Sequence, residues 1–327
     1  MLNKNNKKSI DLVSIIIPNF NREHLIGETL DSILNQSYPN WECIVVDDHS
    51  TDKSEKVIRK YCDKDERIKY FSRPENKPKG QCSCRNFGYE MSKGMYVNWF
   101  DSDDIMEKEF ISSKVNELMS NPDVDAVISK SKYFDHKSGK ELFSENRTEL
   151  TNNLFEDFLV YKISWYLPDP MWRRDFLKDQ KLFNEELIAG GVDREFHARM
   201  LLYKPSIVII DKFLTQCRKH EQNTSSHFYN STQKNNLMKI KHLHSTKALF
   251  DLFQEHQVIT KTIKETYFKS SMKYLPYVYN NSDAFSMLIE LMKDLSINDI
   301  KTKIYWIKFW ISYFSFSLTG RGNIFLK

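Results

Sequence analysis

Three carboxylates directly follow an apolar, strand-like segment in the stretch YVNWFDSDDI, residues 96–105. They are Asp101, Asp103 and Asp104, and like charges this close together repel one another. Such a group is stable when its side chains separate into water, or when a cation lies among them and offsets their charge. Carboxylate oxygens are the ligands that hard dications prefer. The stretch therefore leaves two alternatives, a solvated turn or a metal site.

Two earlier segments also end in residues suited to chemistry. LVSIIIPNF (12–20) is a β-branched run that ends at Pro18 and the asparagine after it, and ECIVVDDHS (42–50) ends at Asp47 and Asp48. Both have the continuous apolar character of strands that are buried on both faces of a parallel sheet. A single aspartate after a strand is commonly a turn residue, and we expect this of Asp47. Three strands of one sheet that all end in polar or acidic residues instead favour a binding site.

Helical patterns separate these strands. Apolar residues recur at helical spacing after Asn21, which we take as the N-cap, and again near 81–92. Strands alternating with helices predict a mostly parallel α/β sheet with helices on both faces, and ligands bind at the carboxyl ends of such strands. A polar stretch at 221–236 and a helical pattern after it predict two parts, residues 1–225 and 226–327.

Composition excludes several classes of protein. The 327 residues carry 48 basic and 44 acidic side chains, a formal charge of +4, which does not indicate a dedicated nucleic-acid binder. No glycine-rich phosphate loop of the Walker or Rossmann type is found. The five cysteines are an odd number, the first residues lack an apolar leader segment, and no apolar stretch of about 20 residues occurs. We therefore expect a cytoplasmic protein with reduced thiols.

Several segments together resemble family 2 glycosyltransferases of the GT-A fold. The similarity is carried by residues 13–54 and by CRNFGYEMSKGMYVNWFDSDDI, and it continues in WRRDFL, GGVDREFHARM and CRKHEQNTS, up to residue 225. The resemblance implies a GT-A domain, Rossmann-like. The helical pattern in the last part of the sequence predicts that a C-terminal α-helical extension follows it. It also implies transfer of a sugar, with inversion, from a nucleoside diphosphate donor. A UDP-sugar is the expected donor, with GDP and dTDP donors left open.

The resemblance assigns a donor site and a metal site. Pro18 and Phe20 lie where the family contacts the base, and Asp48 where it hydrogen-bonds uracil. The position of Arg85 corresponds to an arginine near the donor, and that of Asp103 to the ligand of Mn²⁺ or Mg²⁺. The remaining assigned residues are Asp101, which reaches the ribose or a metal-bound water, Ser102, counted with the donor site, and His220, a second metal ligand.

The resemblance also places a general base. Asp193 in GGVDREF is the best match, although the family often has Glu-Asp where this chain has Val192-Asp193. Glu195 is the second candidate, and the alternative for Asp193 is that it only caps the helix that begins there. Four further positions complete the assignments: Asp104 caps the following helix, Arg218 reaches the diphosphate, Trp172 lines the acceptor site or packs in the core, and Asp169 is given no role.

The C-terminal segment 301–327 is rich in aromatic residues and lysines. Lys308 interrupts its apolar core, so a helix lying in a membrane interface is the favoured interpretation, with a packed terminal helix or a dimer contact as the alternatives. A peripheral position at the inner face of the cytoplasmic membrane would suit a saccharide or lipid-linked saccharide acceptor in the synthesis of surface polysaccharide. No nucleic-acid partner is expected.

Two other functions remain as alternatives. A sugar nucleotidyltransferase needs a glycine-rich, basic loop after the first strand, and PNFNREHLIG does not provide one. A sugar-nucleotide-binding protein without catalysis would keep the fold with a decayed site. The presence of Asp48, Asp101, Asp103 and Asp193 argues against decay.

Overall fold

The computed structural model describes residues 12–142, 148–149, 153–187, 190–220, 223 and 232–319, with side chains from residue 236 in the last range. The chain forms two compact units. The first comprises Met1–Phe155, Lys162–Ile188 and Arg199–His220, and the second comprises Glu156–Tyr161, Ala189–Ala198 and Glu221–Lys327. The predicted boundary after residue 225 and most of the predicted linker at 221–236 lie outside the described residues, but the prediction is wrong for residues 232–236, which are helical.

The first unit is built on a mixed sheet. Its strands in the described residues are β1 (Val13–Asn19), β2 (Trp41–Asp47), β3 (Ile68–Ser72), β4 (Tyr96–Trp99), β5 (Ile105–Met106), β6 (Ala126–Asp135), β7 (Glu141–Leu142), β8 (Pro170–Arg173) and β9 (Ile207–Lys219). They lie in the order β3-β2-β1-β4-β8-β6-β9-β5, and β7 pairs with β6. The β1–β2, β2–β3, β1–β4 and β6–β9 pairs are parallel, and the others are antiparallel.

Helices connect the strands and form the C-terminal region. They are α1 (Ile26–Leu34), α2 (Ser54–Lys64), α3 (Gln81–Met91), α4 (Phe110–Ser120), α5 (Leu154–Leu159), α6 (Arg174–Leu177), α7 (Val192–Leu202), α8 (Thr232–Glu255), α9 (Lys261–Ser271), α10 (Leu275–Val278), α11 (Ser282–Leu295) and α12 (Ile300–Thr319). The predicted α/β fold with a helical C-terminal region is confirmed, but among the described strands the sheet is mixed rather than mostly parallel, because β5, β7 and β8 pair antiparallel with their neighbours.

The first two predicted strands are buried as their apolar runs require. Ile15 and Ile17 of β1 and Val45 of β2 are fully buried in one core with residues of α1 and α4. Because the two strands run parallel with Asn19 opposite Asp47, their polar carboxyl ends meet at the same edge of the sheet. This edge is where ligands bind in such sheets.

The predicted start of the first helix is wrong. Asn21 does not cap it, because the helix begins at Ile26 and Asn21 has a left-handed backbone with φ of 51°. Its side-chain oxygen instead accepts a hydrogen bond of 2.8 Å from the backbone N–H of Thr51. Asparagine tolerates this conformation, and here it ties the end of β1 to the loop after β2.

Gly94 permits a close approach between the turn before β4 and β1. A Cβ atom at this position would lie 2.6 Å from the backbone nitrogen of Ser14 and 2.7 Å from the carbonyl oxygen of Leu12. Both neighbours are backbone atoms held in the sheet, so they cannot move aside cheaply. We expect Gly94→Ala to lower the free energy of unfolding in a denaturant titration by about 2–3 kcal/mol.

Gly27 provides the matched control for Gly94. It lies in α1, where an added Cβ would meet Tyr61 Oη at an ordinary 3.4 Å. Gly27→Ala should therefore raise the free energy of unfolding by up to about 1 kcal/mol, because alanine favours the helix. Equal effects of the two substitutions would contradict the close approach at Gly94.

The second unit is a helical assembly with its own core. Phe250 and Phe253 of α8, Leu288 of α11 and Phe309 of α12 are fully buried. Asn281 caps α11 by accepting a hydrogen bond from the N–H of Ala284, as sequence preferences for helix N-caps require. Across the described part of the chain, no helix combines the length and apolar character needed to cross a membrane.

Candidate active site

The turn after β2 is organised by Asp47. Its carboxylate accepts hydrogen bonds of 2.7 Å from the backbone N–H of Ser50 and from the side-chain amide of Asn19, which ends β1. The backbone N–H of Asp48 donates to the carbonyl of Asn19 at 2.8 Å. As the sequence predicted, Asp47 supports the turn, and it thereby fixes Asp48 at the edge of the sheet.

Asp48 pairs with an arginine that sequence reasoning missed. Arg73 Nε lies 2.5 Å from Asp48 Oδ1, and both side chains are buried. Arg73 also donates to the carbonyls of Pro74 and Lys77, so it links Asp48 to the loop after β3. Ser72 is paired with Asp47 in the β2–β3 register, which brings the next residue, Arg73, beside Asp48. Its place directly after a strand was the available signal.

A partly exposed aromatic ring lies at the same edge of the sheet. Phe20 follows β1 and is 40% exposed, which is unusual for a phenylalanine beside a fully buried strand. The ammonium of Lys79 lies 4.8 Å from its ring centre, a cation–π contact. Pro18 is half-buried within β1. Because the ring is 40% exposed, a flat ligand can reach it beside Lys79.

Asp101 forms an ion pair with a buried arginine. Arg85 Nη2 lies 3.0 Å from Asp101 Oδ1, and its side chain is almost fully buried while that of Asp101 is one-third exposed. The guanidinium also lies 5.2 Å from the ring centre of Phe183. Ser102 is buried. Arg85 thus supports Asp101, and its position near the donor stays a prediction.

One carboxylate oxygen of Asp103 contacts both an arginine and a histidine. Oδ2 lies 3.2 Å from Arg22 Nε and 3.0 Å from His220 Nε2. Burial alone would raise the pKa of Asp103, but the hydrogen bond with His220 and the charge of Arg22 outweigh it and lower the pKa. The carboxylate is therefore ionised at neutral pH. Arg22 was not predicted, and no local pattern points to it.

The predicted role of Asp104 is wrong. It caps no helix, because the strand β5 follows it, and its Oδ1 accepts a hydrogen bond of 2.8 Å from the backbone N–H of Arg218. Burial, together with the charges of Asp103 and Asp101, raises the pKa of Asp104 well above its usual value. Asp104 therefore joins the acidic segment to β9.

Arg218 is held in place by the same segment. Its Nε donates to the carbonyl of Asp103 at 2.8 Å, and its Nη2 lies 2.7 Å from Glu28 Oε2. Nη1 lies 2.9 Å from His136 Nδ1. The side chain is 3% exposed, so Arg218 fixes the end of β9 and thereby the position of His220.

The side chains at Asp103 suit a hard dication whose remaining coordination positions are filled by a substrate. Asp103 and His220 offer a carboxylate and an imidazole that meet at 3.0 Å. In the described residues, no group of three or more histidine, cysteine, aspartate or glutamate side chains could hold a metal by itself. Mg²⁺ and Mn²⁺ are commonly held by one or two protein ligands plus substrate phosphates and water. The residues present fit such an ion.

The candidate bases lie in the part of α7 that belongs to the second unit. Asp193 is in the first turn and half-buried, whereas Glu195 is 1% exposed. Arg194, between them, donates to the carbonyls of Phe158 and Leu159 and so anchors this turn. Of the two carboxylates, Asp193 is therefore the more accessible to a substrate.

Two other positions belong to the interior. Trp172 is 1% exposed and stacks on Phe176 with ring centres 5.4 Å apart, so it packs in the core. Asp169 is fully buried, accepts hydrogen bonds from Ser131 and the backbone of Tyr166, and has its pKa raised by burial to about 6. Its backbone carbonyl accepts from the buried Lys114 at 2.7 Å. Both residues serve the fold.

Comparison with known proteins identifies the family. Residues 14–183 match the model of the family described as Glycosyl transferase family 2. The chain belongs to this family. Residues 14–183 include the ends of β1, β2 and β4 with their polar residues, so the predicted resemblance to family 2 glycosyltransferases is confirmed.

Two relatives have names that refer to teichuronic acid and to poly(ribitol-phosphate). The putative teichuronic acid biosynthesis glycosyltransferase TuaG of Bacillus subtilis is 39% identical over 108 residues, which cover 33% of this chain and 42% of TuaG. The poly(ribitol-phosphate) beta-N-acetylglucosaminyltransferase TarS of Staphylococcus aureus is 29% identical over 224 residues, 67% of this chain and 38% of TarS. The chain thus spans less than half the length of these curated relatives.

Solved structures share the fold. TarS 1–349 in complex with UDP-GlcNAc has a TM-score of 0.54 at 19% identity, covering 86% of this chain and 90% of that one. The mannosyltransferase PcManGT of Pyrobaculum calidifontis, solved with GDP-Man and Mn²⁺, has a TM-score of 0.52 at 14% identity, covering 96% and 84%. The predicted GT-A architecture is confirmed.

Proposed function

We infer that this chain is an inverting glycosyltransferase that moves a sugar from a nucleoside diphosphate donor to an acceptor hydroxyl. The observation that carries the proposal is the convergence on Asp103, an ionised carboxylate contacted by His220 and Arg22 at the carboxyl ends of β1 and β4. Ligands bind at this edge in α/β sheets. Membership of the glycosyltransferase family and the names of its relatives support a role in the synthesis of surface polysaccharide.

A UDP-sugar is the proposed donor. Phe20 offers an exposed ring on which a base can stack, and Asp48 is fixed at the end of the neighbouring strand, where a carboxylate can accept from the N–H of uracil. TarS was solved with UDP-GlcNAc, whereas PcManGT was solved with GDP-Man. The fold therefore admits either base, and the choice of uracil rests on Asp48.

Asp103 and His220 would hold Mn²⁺ or Mg²⁺, and the bound ion would supply charge stabilisation for the departing nucleoside diphosphate. Arg22 carries a positive charge beside the same oxygen of Asp103 and would contact a phosphate that arrives there. Arg85 fixes Asp101, which stays one-third exposed and able to contact the ribose. These side chains hold the donor in place for attack at the anomeric carbon.

Inversion requires one displacement and a group that takes the proton of the acceptor hydroxyl. We assign this role to Asp193, which is half-buried in the first turn of α7, in preference to the buried Glu195. The proposed acceptor is a saccharide or a lipid-linked saccharide. A lipid-linked acceptor would bring the enzyme to the inner face of the cytoplasmic membrane through residues 301–327, of which 301–319 are described.

A donor screen tests the proposal. The purified chain with Mn²⁺ would be offered UDP-, GDP- and dTDP-sugars, with and without EDTA, and the released nucleoside diphosphate would be counted. Release from one donor, abolished by EDTA, is the expected result. Nucleotide binding without release, even with saccharide acceptors present, would instead favour a binding protein without catalysis. Formation of a sugar nucleotide from a nucleoside triphosphate would favour a nucleotidyltransferase.

Stacking on Phe20 gives a separate prediction. Phe20→Ala should raise the Kd for UDP by about tenfold to a hundredfold, because stacking on an aromatic ring contributes about 1–3 kcal/mol per base. Stability should hardly change, since the ring is largely exposed. Phe213→Ala is the matched control, a phenylalanine of the same unit that is 49% exposed on β9. Equal UDP affinity in both variants would contradict the assignment of Phe20 to the base.

A further inference from the structure

The last described helix, α12, leaves a row of large apolar side chains open to solvent. Six of them are between 45% and 83% exposed. This row, the α12 stripe, consists of Ile300, Ile304, Ile307, Ile311, Phe314 and Leu318. Single exposed apolar residues are ordinary on protein surfaces, but a contiguous row is not.

The stripe follows one face of the helix over its whole length. Its members are spaced by four, three, four, three and four positions, and at about 100° per residue all of them lie within about 40° of one line. The opposite face, formed by Thr302, Phe309, Ser312 and Phe316, is buried against the rest of the unit. Phe309 stacks on Phe285, and Phe316 stacks on Tyr279. The helix is thus firmly seated on one side and open on the other for about 30 Å.

The charged residues of α12 on both sides of the stripe are all lysines. The range Ile300–Thr319 contains no aspartate or glutamate, and its lysines lie on both sides of the stripe, Lys303 on one flank and Lys301 and Lys308 on the other. Lys301 is bonded to Glu265 at 2.8 Å. Trp310 is 39% exposed beside the stripe, on the flank of Lys303.

The positive charges on both flanks decide between the two possible partners of the stripe, a second copy of α12 and a membrane. In a pair of parallel α12 helices packed along their stripes, Lys303 of one copy would face Lys308 of the other, and like charges at such flanking positions oppose association. An anionic bilayer has the complementary charge, and it accepts an apolar face to a depth of about 5–10 Å while lysines and tryptophan remain at the headgroups. No helix among the described residues is able to span the bilayer.

We propose that α12 is a membrane-docking helix that lies in the plane of an anionic lipid surface with the α12 stripe in the acyl boundary. The ligand is the bilayer itself, recognised by apolar area on one face and by Lys303 and Lys308 on its flanks. The site deepens the proposed function, because it would hold the transferase beside a lipid-linked acceptor. Its test does not depend on transfer, since lipid binding is measured without donor or metal.

Vesicle sedimentation of the full chain tests the proposal. Wild-type protein should bind vesicles that contain phosphatidylglycerol at least about tenfold more tightly than vesicles of phosphatidylcholine alone, and high salt should weaken the binding. The triple variant Ile304→Ser, Ile311→Ser, Phe314→Ser should lose binding to both. Its circular dichroism spectrum and unfolding midpoint should match those of the wild type, because the three side chains lie on the exposed face of α12.

The matched control replaces three apolar side chains of similar exposed fraction elsewhere in the chain. Met119→Ser, Phe213→Ser and Leu237→Ser together replace three side chains that are 53%, 49% and 56% exposed. This variant should bind anionic vesicles as wild type does. Should the stripe variant fail to fold, Lys303→Glu with Lys308→Glu provides a second test, since reversal of these charges should weaken anionic binding at least about tenfold.

Three results would overturn the proposal. One is a wild-type protein that binds neither kind of vesicle. The second is a stripe variant, or a charge-reversed variant, that binds anionic vesicles as wild type does. The third is a wild-type dimer in sedimentation equilibrium that the stripe variant converts to a monomer, which would assign the α12 stripe to a second copy. Normal UDP binding in each case would show that the proposed donor site stands independently.

Discussion

Asp103→Asn is expected to lower the rate of donor turnover by about a hundredfold to a thousandfold, a loss typical of removing a preorganised electrostatic group. The substitution keeps the shape of the side chain and removes its charge. Asp103 is buried, ionised, and contacted by His220 at 3.0 Å and Arg22 at 3.2 Å, so its charge is what makes this position suitable for a dication. The measurement is nucleoside diphosphate release at saturating Mn²⁺ and donor.

The control for Asp103 is another aspartate that pairs with an arginine of the same unit. Asp65 accepts from Arg67 at 2.6 Å and lies between α2 and the start of β3, not at the carboxyl end of a strand. Asp65→Asn should leave turnover within about twofold of wild type, because a partly exposed ion pair contributes about 1 kcal/mol or less to stability. Activity of Asp103→Asn within tenfold of wild type, with a normal unfolding midpoint, would remove Asp103 from the donor site.

Asp193→Asn is expected to lower kcat by about a hundredfold to ten-thousandfold while the Kd for UDP stays unchanged. Asparagine serves at a helix N-terminus about as well as aspartate, so the variant tests proton transfer while preserving the helix start. The measurement separates kcat, from steady-state transfer to an acceptor, and Kd, from calorimetry. A purely structural Asp193 would change neither quantity.

Glu195→Gln is the comparison that assigns the base. Glu195 is two residues further along α7 and buried, so its substitution should affect stability more than kcat. If Glu195→Gln abolished transfer with an unchanged unfolding midpoint, while Asp193→Asn stayed active, the base would be Glu195. Substantial activity in both variants would place the base outside α7.

The sequence predicted the part of the site that follows from local pattern. Continuous apolar runs identified β1 and β2, and alternation with helices implied parallel strands, so the meeting of Asp48 and Asp103 at one edge could be anticipated. Family resemblance added His220, which the structure brings to 3.0 Å from Asp103 although 117 positions separate them. No local pattern would have joined these two residues.

The misses all involve contacts between distant segments. Asp104 is of a residue type that commonly caps helices, but its side chain accepts a hydrogen bond from the backbone of Arg218, 114 positions away. Arg73 was overlooked as a partner of Asp48, because its place after a strand suggests a site residue but only the register of β2 and β3 shows which residue it contacts. Asn21 has the composition of a cap, yet its left-handed backbone serves the loop after β2. Each depends on tertiary packing that composition and periodicity do not specify.

Isothermal titration of UDP into the full chain, with Mn²⁺ and then with EDTA, tests the central claim most directly. The account predicts one binding site whose affinity depends on Mn²⁺ and collapses on chelation, and whose metal dependence disappears in Asp103→Asn. Binding of equal affinity with and without metal would show that Asp103 and His220 do not hold a cation for the donor. Absence of UDP, GDP and dTDP binding in the presence of Mn²⁺ would contradict the assignment of this edge of the sheet as a nucleotide-sugar site.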